Sequence, residues 1–96
     1  MHYILLMNLT EQGAKEARDI PKRIAEGIAG FEKMGGKVLS FHVTFGPYDY
    51  VAVGDCPSDE AAAAFALALA SQGRVTTTTL KGFTPEEFAK IVTALP

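Results

Sequence analysis

Apolar and polar positions divide the chain into strand-like and helix-like stretches. His2 to Leu9 (HYILLMNL) is short and almost continuously apolar, the pattern of a central strand covered on both sides. Glu11 to Arg18 is polar, with Ala14 and Ala17. Asp19 is placed to cap a second helical piece that carries Pro21 in its first turn, where the missing N–H would be unpaired anyway. From there Ile20, Ile24, Ile28 and Phe31 recur at spacings of four, four and three, one stripe of a helix that Gly35-Gly36 ends. Gly27 and Gly30 lie inside that helix, where each costs about 1 kcal/mol relative to alanine.

Two strand-like runs follow, Lys37 to Phe45 and Tyr48 to Asp55, joined at Gly46-Pro47. A Gly-Pro pair between alternating β-branched and aromatic residues predicts a hairpin, and a short turn there sets the register. Phe45 then opposes Tyr48, Val43 opposes Tyr50, and Phe41 opposes Ala52. With Leu39 these form one strongly apolar face. The reverse face pairs Thr44 with Asp49, His42 with Val51, and Ser40 with Val53. A slip of one residue would exchange the two sets. In this register His42 and Asp49 are diagonal neighbours, about 7–8 Å apart at the backbone.

Pro57 and Ser58 open the next helix. Ser58 is the expected N-cap, and Asp59 and Glu60 suit the positive end of the helix dipole. The run AAAAFALALASQ to Gly73 is apolar nearly all round, so burial on more than one side is expected. RVTTTTLK is a β-branched strand. Thr84-Pro85-Glu86-Glu87 carries a capping box and a first-turn proline, opening a short helix with Phe88, Ile91, Val92 and Leu95 as its apolar set. The order of strand, helix, strand, strand, helix, strand and tail helix predicts an α+β, ferredoxin-like βαββαβ fold, with two helices on one face of a four-stranded antiparallel sheet. The other face must be polar or be covered by a second copy. The first strand contributes either His2, Ile4, Leu6 and Asn8 to it or the alternate set, and the last strand either Thr76 and Thr78 or Thr77 and Thr79. If the polar members gather, His42, Asp49, Thr44, Asn8 and a threonine pair line a partly polar pocket.

The chain has 96 residues, the length of one domain over 1–96. Its 48% apolar content is high for a small domain and favours a partner surface, hence a homo-oligomer. A net charge of −2 with scattered basic residues argues against nucleic acid as a partner. One cysteine, Cys56, excludes an internal disulfide and a thiolate cluster, and two histidines without ligand spacing give no metal site. Neither a signal peptide nor a bilayer-length apolar run is visible, so a cytoplasmic protein with no membrane partner and no cofactor is expected. His42 and Asp49 are the candidate catalytic pair, a histidine base oriented by a carboxylate. Asn8, Thr44, Tyr48 and Tyr50 are the candidate ligand contacts. Asp49 also suits pure turn chemistry. The function expected is a small homo-oligomeric domain that binds a small organic ligand in a partly apolar pocket between sheet and partner. The alternative is a cofactor-independent oxygenase or isomerase using the His/Asp pair.

Gly46-Pro47-Tyr48-Asp49, the valine-rich strand after it, the acidic turn Asp55 to Glu60, the Ala/Leu helix and the segment Gln72 to Thr79 resemble the GYD-domain family, whose namesake pattern is Gly-x-Tyr-Asp. The likeness covers nearly the whole chain. It implies a ferredoxin-like fold assembling as an α/β-barrel type dimer or larger oligomer, and it implies no established activity.

Overall fold

The computed structural model describes residues 1–96. The elements are β1 (His2–Leu9), α1 (Glu11–Lys15), a 3-10 turn (Ala17–Asp19), α2 (Ile20–Lys33), β2 (Lys37–Val43), β3 (Tyr50–Asp55), α3 (Asp59–Ser71), β4 (Val75–Gly82) and α4 (Pro85–Thr93). The strands form one antiparallel sheet in the order β2-β3-β1-β4, the ferredoxin-like arrangement that the element order predicts.

Capping chemistry sets most helix ends. Ser58 Oγ accepts the Ala61 N–H at 3.1 Å, and Thr84 and Glu87 form the reciprocal capping box. Gly35 ends α2 with φ +87°, while the Gly36 N–H reaches Phe31 O at 3.1 Å and the Gly35 N–H reaches Glu32 O at 3.0 Å. This is a Schellman closure, which glycine enters without a Cβ clash. Asp19 makes no side-chain cap, because the 3-10 turn leads into α2 with Asp19 itself in helical conformation.

The core lies between the sheet and α2 and α3. Tyr3, Leu5 and Met7 of β1 and Tyr50 and Ala52 of β3 are buried there with Phe31, Cys56 and Ala62. The Phe31 ring lies over Gly36 and Gly54, where a Cβ on Gly54 would sit 2.7 Å from the ring. Its edge meets Phe65 at 4.9 Å and 76°. These contacts tie both helices to the sheet.

Four further expectations change. β1 is central but covered on one face only, leaving Ile4 and Leu6 half-buried on the other. α3 buries only the side carrying Ala62, Phe65 and Leu69. Its outer side is mostly alanine, so leaving it in water exposes little apolar surface per residue. β2 ends at Val43 and β3 begins at Tyr50, so Phe45 and Tyr48 lie in the connection rather than opposing each other. A bulge between Val38 and Ser40 takes Leu39 out of the alternation and leaves it exposed.

The tail helix α4 stands away from this body. None of its residues is buried, and Phe88 and Leu95 are 58% and 69% exposed. The radius of gyration is 14.7 Å, and the extents are 52 × 29 × 19 Å. A compact chain of this length has a radius of about 12.5 Å.

Candidate functional site

The hairpin register is the one predicted: Val43 faces Tyr50, His42 faces Val51, Phe41 faces Ala52 and Ser40 faces Val53. The other two pairings complete the open face. Rows across the sheet read Ser40, Val53, Ile4, Leu80 and then His42, Val51, Leu6, Thr78. Asn8 and Thr76 lie beside Thr44 and Asp49 at one end, and His2 and Asp55 lie at the other. The centre is thus Val51, Val53, Ile4, Leu6 and Leu80. It holds no Asp, Glu, Lys or Arg, and polar side chains rim it.

The structure divides the predicted site residues. His42, Asn8 and the Thr76/Thr78 pair share the open face, with His42 exposed. Tyr50 lies on the opposite face, buried with its ring 5.6 Å from Phe41, and that burial pushes its phenol up from the ordinary value. Tyr48 is half-buried in the connection, and its carbonyl accepts the Thr44 hydroxyl at 2.6 Å.

Asp49 acts across strands. Its carboxylate accepts the Leu9 N–H at 2.8 Å, its own N–H donates to Met7 O at 2.9 Å, and its carbonyl accepts the Thr44 N–H at 2.8 Å. The side chain therefore satisfies the last backbone donor of β1 where the ladder stops, and it fastens the hairpin to that end. No hydrogen bond or ion pair joins it to His42. Asp49→Ala would strand the Leu9 donor, at a cost of about 1–3 kcal/mol. Asp49→Asn keeps an acceptor and retains most of that stability. Urea denaturation of the two variants checks the difference.

The family model of the GYD domain matches residues 3–92, which includes every strand residue but His2 and nearly all of α4. The chain belongs to the GYD-domain family. A Thermus thermophilus protein named "Glutamine synthetase and cystathionine beta-lyase binding protein" is 36% identical over 80 residues, covering 82% of this chain and 84% of that relative. No solved structure matches the chain. In this GYD domain the signature aspartate is Asp49, so the motif's carboxylate bonds to backbone at the junction of β1 with the hairpin.

Sequence reasoning missed two polar clusters. Tyr3 O–H donates to the Asp59 carboxylate, which Lys81 Nζ also approaches at 3.1 Å. The shared hydrogen bond pushes the Tyr3 phenol up to about 12 and holds Asp59 below its usual value. Glu16 receives Gln12, Arg74 and Arg23, and the Gln12 amide and the two guanidiniums lower its carboxyl against the opposing effect of desolvation. Partners so distant in sequence carry no spacing signal. Cys56 is buried, and desolvation pushes its thiol up from the ordinary value. No helix is long and apolar enough to cross a membrane.

Proposed function

We propose that this GYD domain is a homo-oligomeric protein-binding module in which a second copy covers the open sheet face. The observation that carries the reading is the composition of that face, an uncharged apolar centre inside a polar rim, which is the anatomy of a protein interface. Two identical faces meet across a two-fold axis without like charges opposing each other at the centre. The arm α4 belongs to the same surface. Its first turn begins at the His2 corner, where His2 Nδ1 lies 3.9 Å from Glu87 Oε1.

A helix of this length is marginal in water unless its apolar stripe packs on something. Leu80, Phe83, Phe88, Ile91, Val92 and Leu95 are each 43% to 69% exposed. With 150–250 Å² for a buried aromatic and somewhat less for each aliphatic, these six leave on the order of 600 Å² per copy, or about 1,200 Å² for two, the lower bound of a stable interface. The half-buried Ile4, Leu6, Val51 and Val53 add to it.

A further protein partner is supported by the relative, whose name states that it binds glutamine synthetase and cystathionine beta-lyase. By analogy the assembled domain here takes an enzyme as its partner. A small organic ligand would find its place at the Asn8, Thr44 and His42 end, where the polar rim would be closed over by the second copy and Tyr48 stands nearby. Sedimentation equilibrium at micromolar concentration tests the assembly. A species of two copies or more supports the reading, and a monomer throughout the range removes it.

A further inference from the structure

A second feature lies on the other side of the sheet, independent of whatever covers the open face. Between α2, α3 and the sheet runs a cavity of about 270 Å³. Its walls are apolar: Ile20 and Ile24 from α2, Phe65 and Leu69 from α3, and Met7 and Leu9 from β1. It exists because the helices are tied to the sheet at one end, through Phe31 over Gly36 and Gly54 and through the Phe31–Phe65 contact, while small residues line part of the remaining length. Gly27 and Gly30 of α2 border the cavity, and a Cβ built on either would meet nothing within 4 Å.

Besides the neutral Gln72 and Tyr50, four charged side chains border this cavity. Glu16, Arg23, Glu26 and Arg74 belong to its lining. Arg74 Nε donates to Glu16 Oε1 at 3.4 Å, Arg23 Nη2 lies 3.7 Å from the same oxygen, and Arg23 Nη1 lies 3.3 Å from Glu26 Oε2. Glu16 Oε2 is taken by Gln12 at 2.6 Å. The carboxylates are therefore largely engaged, and the capacity left over is donor capacity. Both Arg23 Nη groups are held by carboxylates and its Nε is enclosed, whereas Arg74 makes only its Nε bond and keeps its two Nη groups free.

We infer that this cavity is a binding site for a small amphipathic carboxylate, its apolar body between α2 and α3 and its anionic head on the free Nη donors of Arg74. Arginine forks suit a carboxylate better than any neutral acceptor. At about 30 Å³ per water-sized unit, the volume holds a body on the order of ten non-hydrogen atoms, the size of octanoate.

Titration of the full chain with octanoate, followed by amide NMR, tests the inference, with octanol as the uncharged probe of matching body. The expected result is saturable shifts at Ile20, Ile24, Phe65 and Leu69, with octanoate tighter than octanol by about tenfold or more. Arg74→Gln should reduce octanoate affinity by about tenfold and leave octanol unchanged. The two-probe comparison uses the unmodified chain, so it stands even if that variant fails to fold. Equal binding of both probes, no saturable binding of octanoate, or shifts confined to Ile4, Leu6 and Val51 of the open face would each overturn the assignment.

Discussion

Val51→Glu is expected to turn the proposed assembly into a folded monomer. Val51 stands in the middle of the open face, between His42 and Leu6 in the row and next to the row of Val53 and Ile4. In a single copy a glutamate there points into water, and the core on the other side of the sheet is untouched, so the variant folds. In the assembly the same carboxylate is buried against an uncharged apolar surface, twice over across a two-fold axis. Desolvating one unpaired charge costs several kcal/mol in practice, which weakens association by more than a hundredfold at about 1.4 kcal/mol per factor of ten. Leu67→Glu is the control. Leu67 is 72% exposed on the outer side of α3 and belongs to neither proposed interface nor core, so its change should leave the assembly intact. Sedimentation of the two variants side by side reads the effect. A Val51→Glu protein that still self-associates like the parent means that another surface holds the copies together.

The largest loss of stability is expected at Phe31. It is the most deeply buried large side chain, 4% exposed, and it alone bridges α2, the Gly35-Gly36 turn, β3 at Gly54 and α3 at Phe65. Phe31→Ala removes that ring where the glycines beneath it have no side chain to relax into the gap. A cost of about 3–5 kcal/mol is expected for such a truncation, a large share of the roughly 5–15 kcal/mol that holds a domain of this kind together. The converse change, Gly54→Val, drives a side chain into the same ring and destabilises by overpacking. Urea denaturation measures both as a lower midpoint with an unchanged slope. A Phe31→Ala variant within about 1 kcal/mol of the parent contradicts the role given to this ring, since surface changes fall in that range.

How far these features could be read in the sequence varies with the distance over which each is decided. The β2–β3 register was legible because Gly46 and Pro47 mark the turn and a period of two carries the alternation outward from it. That inference reaches Ser40 correctly and fails at Leu39, since a bulge inserts one residue without any compositional mark. The pairing of β1 with β4 was not legible. No turn joins them, and Thr76 to Thr79 repeats one residue type, so either phase of the alternation reads the same. The sequence marks Asp49 as a turn residue, but its acceptor role toward Leu9 spans 40 positions and needs the fold to bring the two together. The charged border of the cavity, Glu16 with Arg74, spans 58 positions. Helix caps at Ser58 and Thr84 were legible because their partners lie three residues on. The extent of burial on α3 is not legible, because an alanine-rich side looks apolar in sequence yet presents little surface that water must avoid.

One measurement bears most directly on the claim that a second copy of this GYD domain covers the open face. Hydroxyl-radical footprinting at micromolar concentration labels side chains in proportion to their solvent contact. The account predicts that Ile4, Leu6, Leu80 and Phe88 are protected in the parent and become reactive in Val51→Glu, while Leu39 and Leu67 react equally in both. Open-face residues that label at full rate in the parent protein would show that surface to be bare and the central claim to be false.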